Sequence, residues 1–145
     1  MWYIIFKEEI MGVFSEEITL RNMMDVGDAM RGLIDEDKIR QLTVPAIVDT
    51  GAWTIVINEE IRQKLGLMEM GYGEAVLADG SEGVFPMAGP IDIRWQNRNF
   101  TCDALVMPDA KDVLLGAIPL EGMDLTINPK RELVGVHGDI VKHRV

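Results

Sequence analysis

The sequence holds a single cysteine, Cys102, so no intramolecular disulfide can form and no cysteine-based zinc site can be assembled. That usage agrees with a reducing compartment, and a buried, inert thiol is the expectation for Cys102, because free cysteine is usually buried. Basic residues are outnumbered: 14 Lys and Arg stand against 24 Asp and Glu, a formal net charge of -10. No Lys/Arg cluster reverses this balance locally, so neither nucleic acid nor an anionic membrane is an expected partner. Long apolar runs are missing too. The opening "MWYIIFKEEI" carries an apolar patch without a basic leader region, and nothing approaches the roughly 20 residues of a membrane span. A cytoplasmic location is expected. The two histidines, His137 and His143, lack metal-ligand spacing, and Ser15 and Ser81 lack a Gly-x-Ser-x-Gly context. The charged stretches "DEDK" (35–38) and "PDAKD" (108–112) lack the ligand alternation of a calcium loop. No metal and no cofactor are therefore expected.

What is present suits one compact domain: 145 residues, 48% of them hydrophobic. "GVFSEEITL" (12–20) and "LTVPAIV" (42–48) have strand chemistry, with a polar connection containing at most a helical turn between them. "AWTIVI" (52–57) is a further strand, after which Asn58 caps a short helix, "EEIRQKLG", stopped by Gly66. Asp79-Gly80 inside "GEAVLADGSEGVFPMAG" (73–89) is a hairpin signal. "PIDIRW" and "FTCDALVM" alternate as a second hairpin about "QNRN". "DVLLGAIPLEGM" (112–123) runs from a strand through Gly116 into a helical turn, and "DLTINPKRELVGV" closes with two strands. Eight or nine short strands with regular turns predict a mostly β, closed or nearly closed barrel-like domain with one or two short helices.

One stretch resists that bland picture. In "VPAIVDTGAWTIVI" (44–57) an acid, Asp49, is set into an apolar run where it loses hydration and needs compensation. A tight turn between strands holds an acid rigidly. Gly51 lets the backbone bend and a substrate approach, and Thr50 offers a hydroxyl that can tie the turn to a neighbouring strand or chain. Asp-Thr-Gly alone arises by chance in roughly 3% of chains this long, so its weight comes from the flanking strands, the later hairpin and "VLLG" (113–116).

Taken together, "IVDTGA" (47–52), "KLGL" (64–67), "VLADGSEGVF" (76–85), "DVLLGAIPLEGMDL" (112–125) and "INPKRELVG" resemble the retropepsin-like aspartic proteases in their small bacterial form. The resemblance implies the acid-protease β-barrel fold over residues 12–137, with an N-terminal extension over 1–11 that is dispensable for folding and a tail over 138–145. It implies that Asp49 is the catalytic aspartate and that Thr50, Gly51 and Ala52 form the loop orienting it. Leu114, Leu115 and Gly116 would support that loop from beneath, and Ala78, Asp79, Gly80 and Ser81 would lie at the tip of a mobile flap over the substrate. Two positions depart from the viral pattern. Trp53 stands where an acid follows the Ala, and Ala117 stands where an Arg follows the late Gly.

Peptide hydrolysis without a metal or a nucleophilic side chain needs two carboxyl groups sharing one proton. The chain has one Asp-Thr-Gly. The second acid must then come from a second copy, and the expected unit is a homodimer acting on a peptide or protein substrate, with its two-fold axis through the site. The alternative is a non-enzymatic β-barrel binding module that keeps the protease shape.

Overall fold

The computed structural model describes residues 14–77 and 79–137. The expected extension over 1–11, the expected tail over 138–145 and Ala78 lie outside the described residues, so the proposed domain limits are neither met nor moved.

Among the described residues nine strands and three short α-helices follow one another along the chain. They are β1 (Ser15–Asn22), α1 (Met23–Met30), β2 (Gln41–Val48), β3 (Ile55–Ile57), α2 (Glu59–Leu65), β4 (Met68–Val76), β5 (Glu82–Trp95), β6 (Arg98–Val106), β7 (Val113–Leu115), α3 (Ala117–Gly122), β8 (Leu125–Ile127) and β9 (Leu133–Gly135). The sheet order is β1-β2-β7-β3-β6-β5-β4, and β1 pairs again with β5. That second pairing closes six strands into a barrel and leaves β4 outside it, attached only to β5. The strands β8 and β9 form a separate two-stranded sheet.

Burial follows the period of two that each strand imposes. Ile18 and Leu20 of β1, Ala46 and Val48 of β2, and Ile91 and Ile93 of β5 fill the barrel. The short strands β3 and β7 are buried on both faces. Ile55, Ile57, Val113 and Leu115 point into the barrel, while Val56 and Leu114 join Leu105, Ala75, Phe85 and Met87 in a second cluster under the β4–β5 hairpin. An apolar run without alternation is what a doubly covered strand requires.

Three features differ from the sequence reading. Residues 23–30 form a full helix, because Asn22 caps it by accepting from the Asp25 amide at 3.0 Å, and Arg40 grips Asp25 from the far side. The expected hairpin arm and "PIDIRW" are one strand, β5. Its pairing with β6 shifts register between Ala88 and Ile91 without ending, so Pro90 bends the strand and does not break it. The strand expected over 52–57 shrinks to Ile55–Ile57, because Ala52, Trp53 and Thr54 belong to the loop carrying Asp49.

Candidate active site

The site begins with the pairing of β7. It runs parallel to β2, with Ile47 opposite Leu114 and Val48 opposite Leu115, and antiparallel to β3, with Ile55 opposite Leu115. The strands β2 and β3 are therefore not partners. The loop 49–54 that joins them arches over the end of β7. This corrects the simple strand-to-strand turn expected from the sequence, and it gives the loop a floor.

That floor fixes the backbone of the loop at several points. The Asp49 amide donates to the Leu115 carbonyl at 3.0 Å, and the Ala52 amide donates to the Asp49 carbonyl at 3.0 Å. The amides of Ala117 and Ile118 donate to the carbonyls of Ala52 and Trp53 at 2.7 and 2.9 Å. Gly116 lies in extended backbone (φ -94°), so its conformation does not demand glycine. Its contacts do: a Cβ there would lie 2.3 Å from the Thr54 carbonyl oxygen and 2.5 Å from that of Ala52. The late glycine is thus the seat on which the loop rests.

Asp49 is 2% exposed. The Gly51 amide donates to its Oδ1 at 3.1 Å, which closes an Asx turn. Ala52 is fully buried beside it, whereas Thr50 is exposed and presents its hydroxyl at the surface of the loop. Trp53 is 40% exposed and Ile118 is 42% exposed, so two large apolar side chains border the loop. The three supporting residues act differently. Leu115 points into the barrel and offers its carbonyl to Asp49, Gly116 carries the loop, and Leu114 turns to the cluster beneath the hairpin.

The hairpin tip joins the ends of β4 and β5. Ser81 donates from its amide (2.9 Å) and its hydroxyl (2.6 Å) to Asp79 Oδ1, and the Gly80 amide donates to the Leu77 carbonyl. The hydrogen bonds from Ser81 hold the Asp79 carboxyl below its ordinary range. Gly80 has φ +86° and a Cβ there would meet nothing within 4 Å, so here glycine serves conformation alone. Ala78, the remaining tip residue, lies outside the described residues. The base of the hairpin carries Phe85 and Met87 against Val56, Leu105 and Leu114.

Sequence reasoning passed over Thr54 and this second cluster. Thr54 is 2% exposed and its hydroxyl donates to the Asp103 carbonyl at 3.0 Å, tying the loop to β6. The signal was a lone hydroxyl within "AWTIVI". Cys102 is half-buried beside the barrel core, short of the full burial expected, and the desolvation it does suffer pushes its thiol up to about 11 against an opposing hydrogen bond with Thr54. Among the described residues no group of three or more His, Cys, Asp or Glu could hold a metal, and no helix is long and apolar enough to cross a membrane.

The family described as "gag-polyprotein putative aspartyl protease" has a sequence profile that matches residues 37–121, more than half of the chain. The match spans the loop 49–54, the hairpin, β7 and most of α3. No curated protein matches the chain.

Proposed function

The chain belongs to the retropepsin-like aspartic protease family, and from that premise we propose that it is a homodimeric aspartic endopeptidase whose catalytic acid is Asp49. The observation that carries this reading is the setting of Asp49. It is a buried carboxylate at the end of a core strand, its loop held by backbone bonds to β7 and α3, in a chain with a single Asp-Thr-Gly.

In this mechanism two copies bring their loops together about a two-fold axis. The two Asp49 carboxyls then share one proton, because like charges about 3 Å apart cannot both ionise. The ionised carboxyl takes a proton from a water lying between the pair. The water oxygen attacks the carbonyl carbon of the scissile amide as the neutral carboxyl donates its proton to the carbonyl oxygen. The tetrahedral diol then breaks its C–N bond as the carboxyl that took the water's proton returns it to the leaving nitrogen and the other recovers a proton from the diol hydroxyl. Thr50, exposed beside Asp49, offers a hydroxyl that ties one loop to its mate. The hairpin tip at Asp79, Gly80 and Ser81 folds over the bound peptide, and its apolar base beside Leu114 excludes water.

The test compares wild type with Asp49→Asn on an unfolded reporter protein. The substitution is nearly isosteric and removes the base from both halves at once. Turnover is expected to fall by about a thousandfold or more while the fold is retained. Cleavage by the variant near the wild-type rate overturns the assignment. So does a confirmed wild-type dimer that cleaves no peptide from about pH 3 to 8.

A further inference from the structure

The face of the sheet that carries the hairpin base continues past the Asp49 loop to the start of β1. Ala46 and Val48 of β2 point into the barrel, so Pro45 and Ile47 lie on the opposite face. Ile47 is opposite Leu114, which packs beneath the hairpin. Ser15 of β1 is opposite Ile47 from the other side, and the Val48 amide donates to the Phe14 carbonyl at 3.1 Å. The parallel pairing of β2 with β7 begins at Ala46 and Val113, and one step back sets Pro45 beside Asp112. Phe14, Ser15, Pro45, Ile47 and Asp112 line a groove of about 360 Å³ there. Its side chains are apolar but for the Ser15 hydroxyl and one acid. Asp112 is exposed, and none of the ion pairs among the described residues includes it. Ile47 stands two residues before Asp49, about 7 Å along an extended chain, so the groove opens next to the loop that carries the acid.

We propose that Asp112 makes this groove select a long basic side chain, lysine or arginine, from the substrate. The inference rests on the endopeptidase reading and adds a substrate class to it. The aliphatic stem of the side chain lies along Phe14, Pro45 and Ile47, while its cationic head reaches Asp112 at the rim. An acidic side chain meets Asp112 as a like charge, and a neutral apolar one gains the stem contacts without the ion pair. A two-fold dimer carries the groove once per protomer, so the substrate meets it on both sides of the scissile bond. The preference therefore falls at one position before that bond and at its counterpart after it.

The probes are labelled peptides of about ten residues, neutral apart from one Lys placed at each central position in turn, with Met and Glu versions of each. Cleavage by wild type is compared as kcat/KM. Binding to the full-length Asp49→Asn protein is followed by fluorescence anisotropy, which needs no turnover. Lys is expected to exceed Met by about tenfold at the two symmetric positions, with Glu below both. Added salt should shrink the advantage of Lys, because screening weakens the ion pair and spares the stem contacts. Asp112→Asn should bring the Lys-to-Met ratio within about twofold, and Asp112→Lys should turn the preference to Glu. Amide spectra of both variants check that the fold is retained. The inference is overturned if Lys and Met peptides are cleaved and bound alike, or if the Lys preference survives Asp112→Asn at full size. A wild type that cleaves nothing, while Asp49→Asn protein binds the Lys peptide and loses that binding with Asp112→Asn added, overturns the protease and supports the groove. Absence of both cleavage and binding overturns both.

Discussion

Two glycines of this chain are needed for opposite reasons, and substitution separates them. Gly116 has an ordinary backbone conformation but no room, since the carbonyl oxygens of Thr54 and Ala52 occupy the space of a side chain. Backbone atoms cannot swing aside as a flexible side chain can, so Gly116→Ala must lift the Asp49 loop off β7. Denaturant unfolding is expected to show a loss of about 2–3 kcal/mol, the range of an overpacked core, together with loss of turnover. Unchanged stability would mean that the loop does not rest where the structure puts it. Cys102 gives a second residue-scale outcome. Burial holds its thiol at about 11, so at pH 8 little thiolate is available. The native protein should resist a thiol reagent that modifies Cys102 readily after unfolding. Fast modification of the folded chain would contradict the raised thiol.

At the scale of elements, legibility tracked how local the cause was. Asn58 and Gly66 announce α2 because cap and stop chemistry sit within the segment, and the structure shows the cap accepting from Ile61 and Gly66 at φ +62°. The helix α1 was not legible, since its cap Asn22 sits inside a polar stretch that reads as a connection and its anchor, Arg40, comes from that stretch's far end. Asp49 stood out as an acid in an apolar run, yet the insertion of β7 between β2 and β3 could not be read. Parallel pairing between segments far apart in sequence leaves no local period. The grip on α1 makes a pH prediction. Hydrogen bonds from Arg40 hold the Asp25 carboxyl below its ordinary 3.8. A carboxyl depressed in the folded state contributes stability that is present above about pH 4 and is lost as pH falls through the folded value. Asp25→Asn should therefore cost about 1–2 kcal/mol at neutral pH, and the gap to wild type should narrow below pH 4. A gap constant with pH would show that the charge is not what holds α1. The hairpin carries the kinetic counterpart. Because Gly80 supplies φ +86° at the tip, Gly80→Val should strain the tip, raise KM and lower kcat while the barrel fold is retained, and normal kinetics would show that the hairpin is not a lid.

For the whole molecule, the proposed chemistry and the surface charge pull in opposite directions. The site needs two copies, each contributing Asp49, while each copy carries a formal charge of -10 to the encounter. Self-repulsion between two acidic protomers is long-ranged at low ionic strength and is cut to a Debye length of about 8 Å at physiological salt. The apolar side chains bordering the loop, Trp53 and Ile118, are not weakened by that screening. Raising salt should therefore tighten the dimer, and activity at a fixed low protein concentration should rise with it, the reverse of what an oppositely charged interface would show. Sedimentation and turnover measured along one dilution series should share a midpoint, and that midpoint should move to lower concentration as salt is added. In the proposed dimer the two Asp49 carboxyls should titrate as a coupled pair, with turnover carried by the singly protonated form. The dependence of kcat/KM on pH is accordingly expected to be bell-shaped, with its two limbs belonging to the pair and not to either residue. A monomer that stays fully active at nanomolar concentration removes the shared site. A single-limbed profile from a confirmed dimer removes the shared proton and leaves Asp49 acting alone.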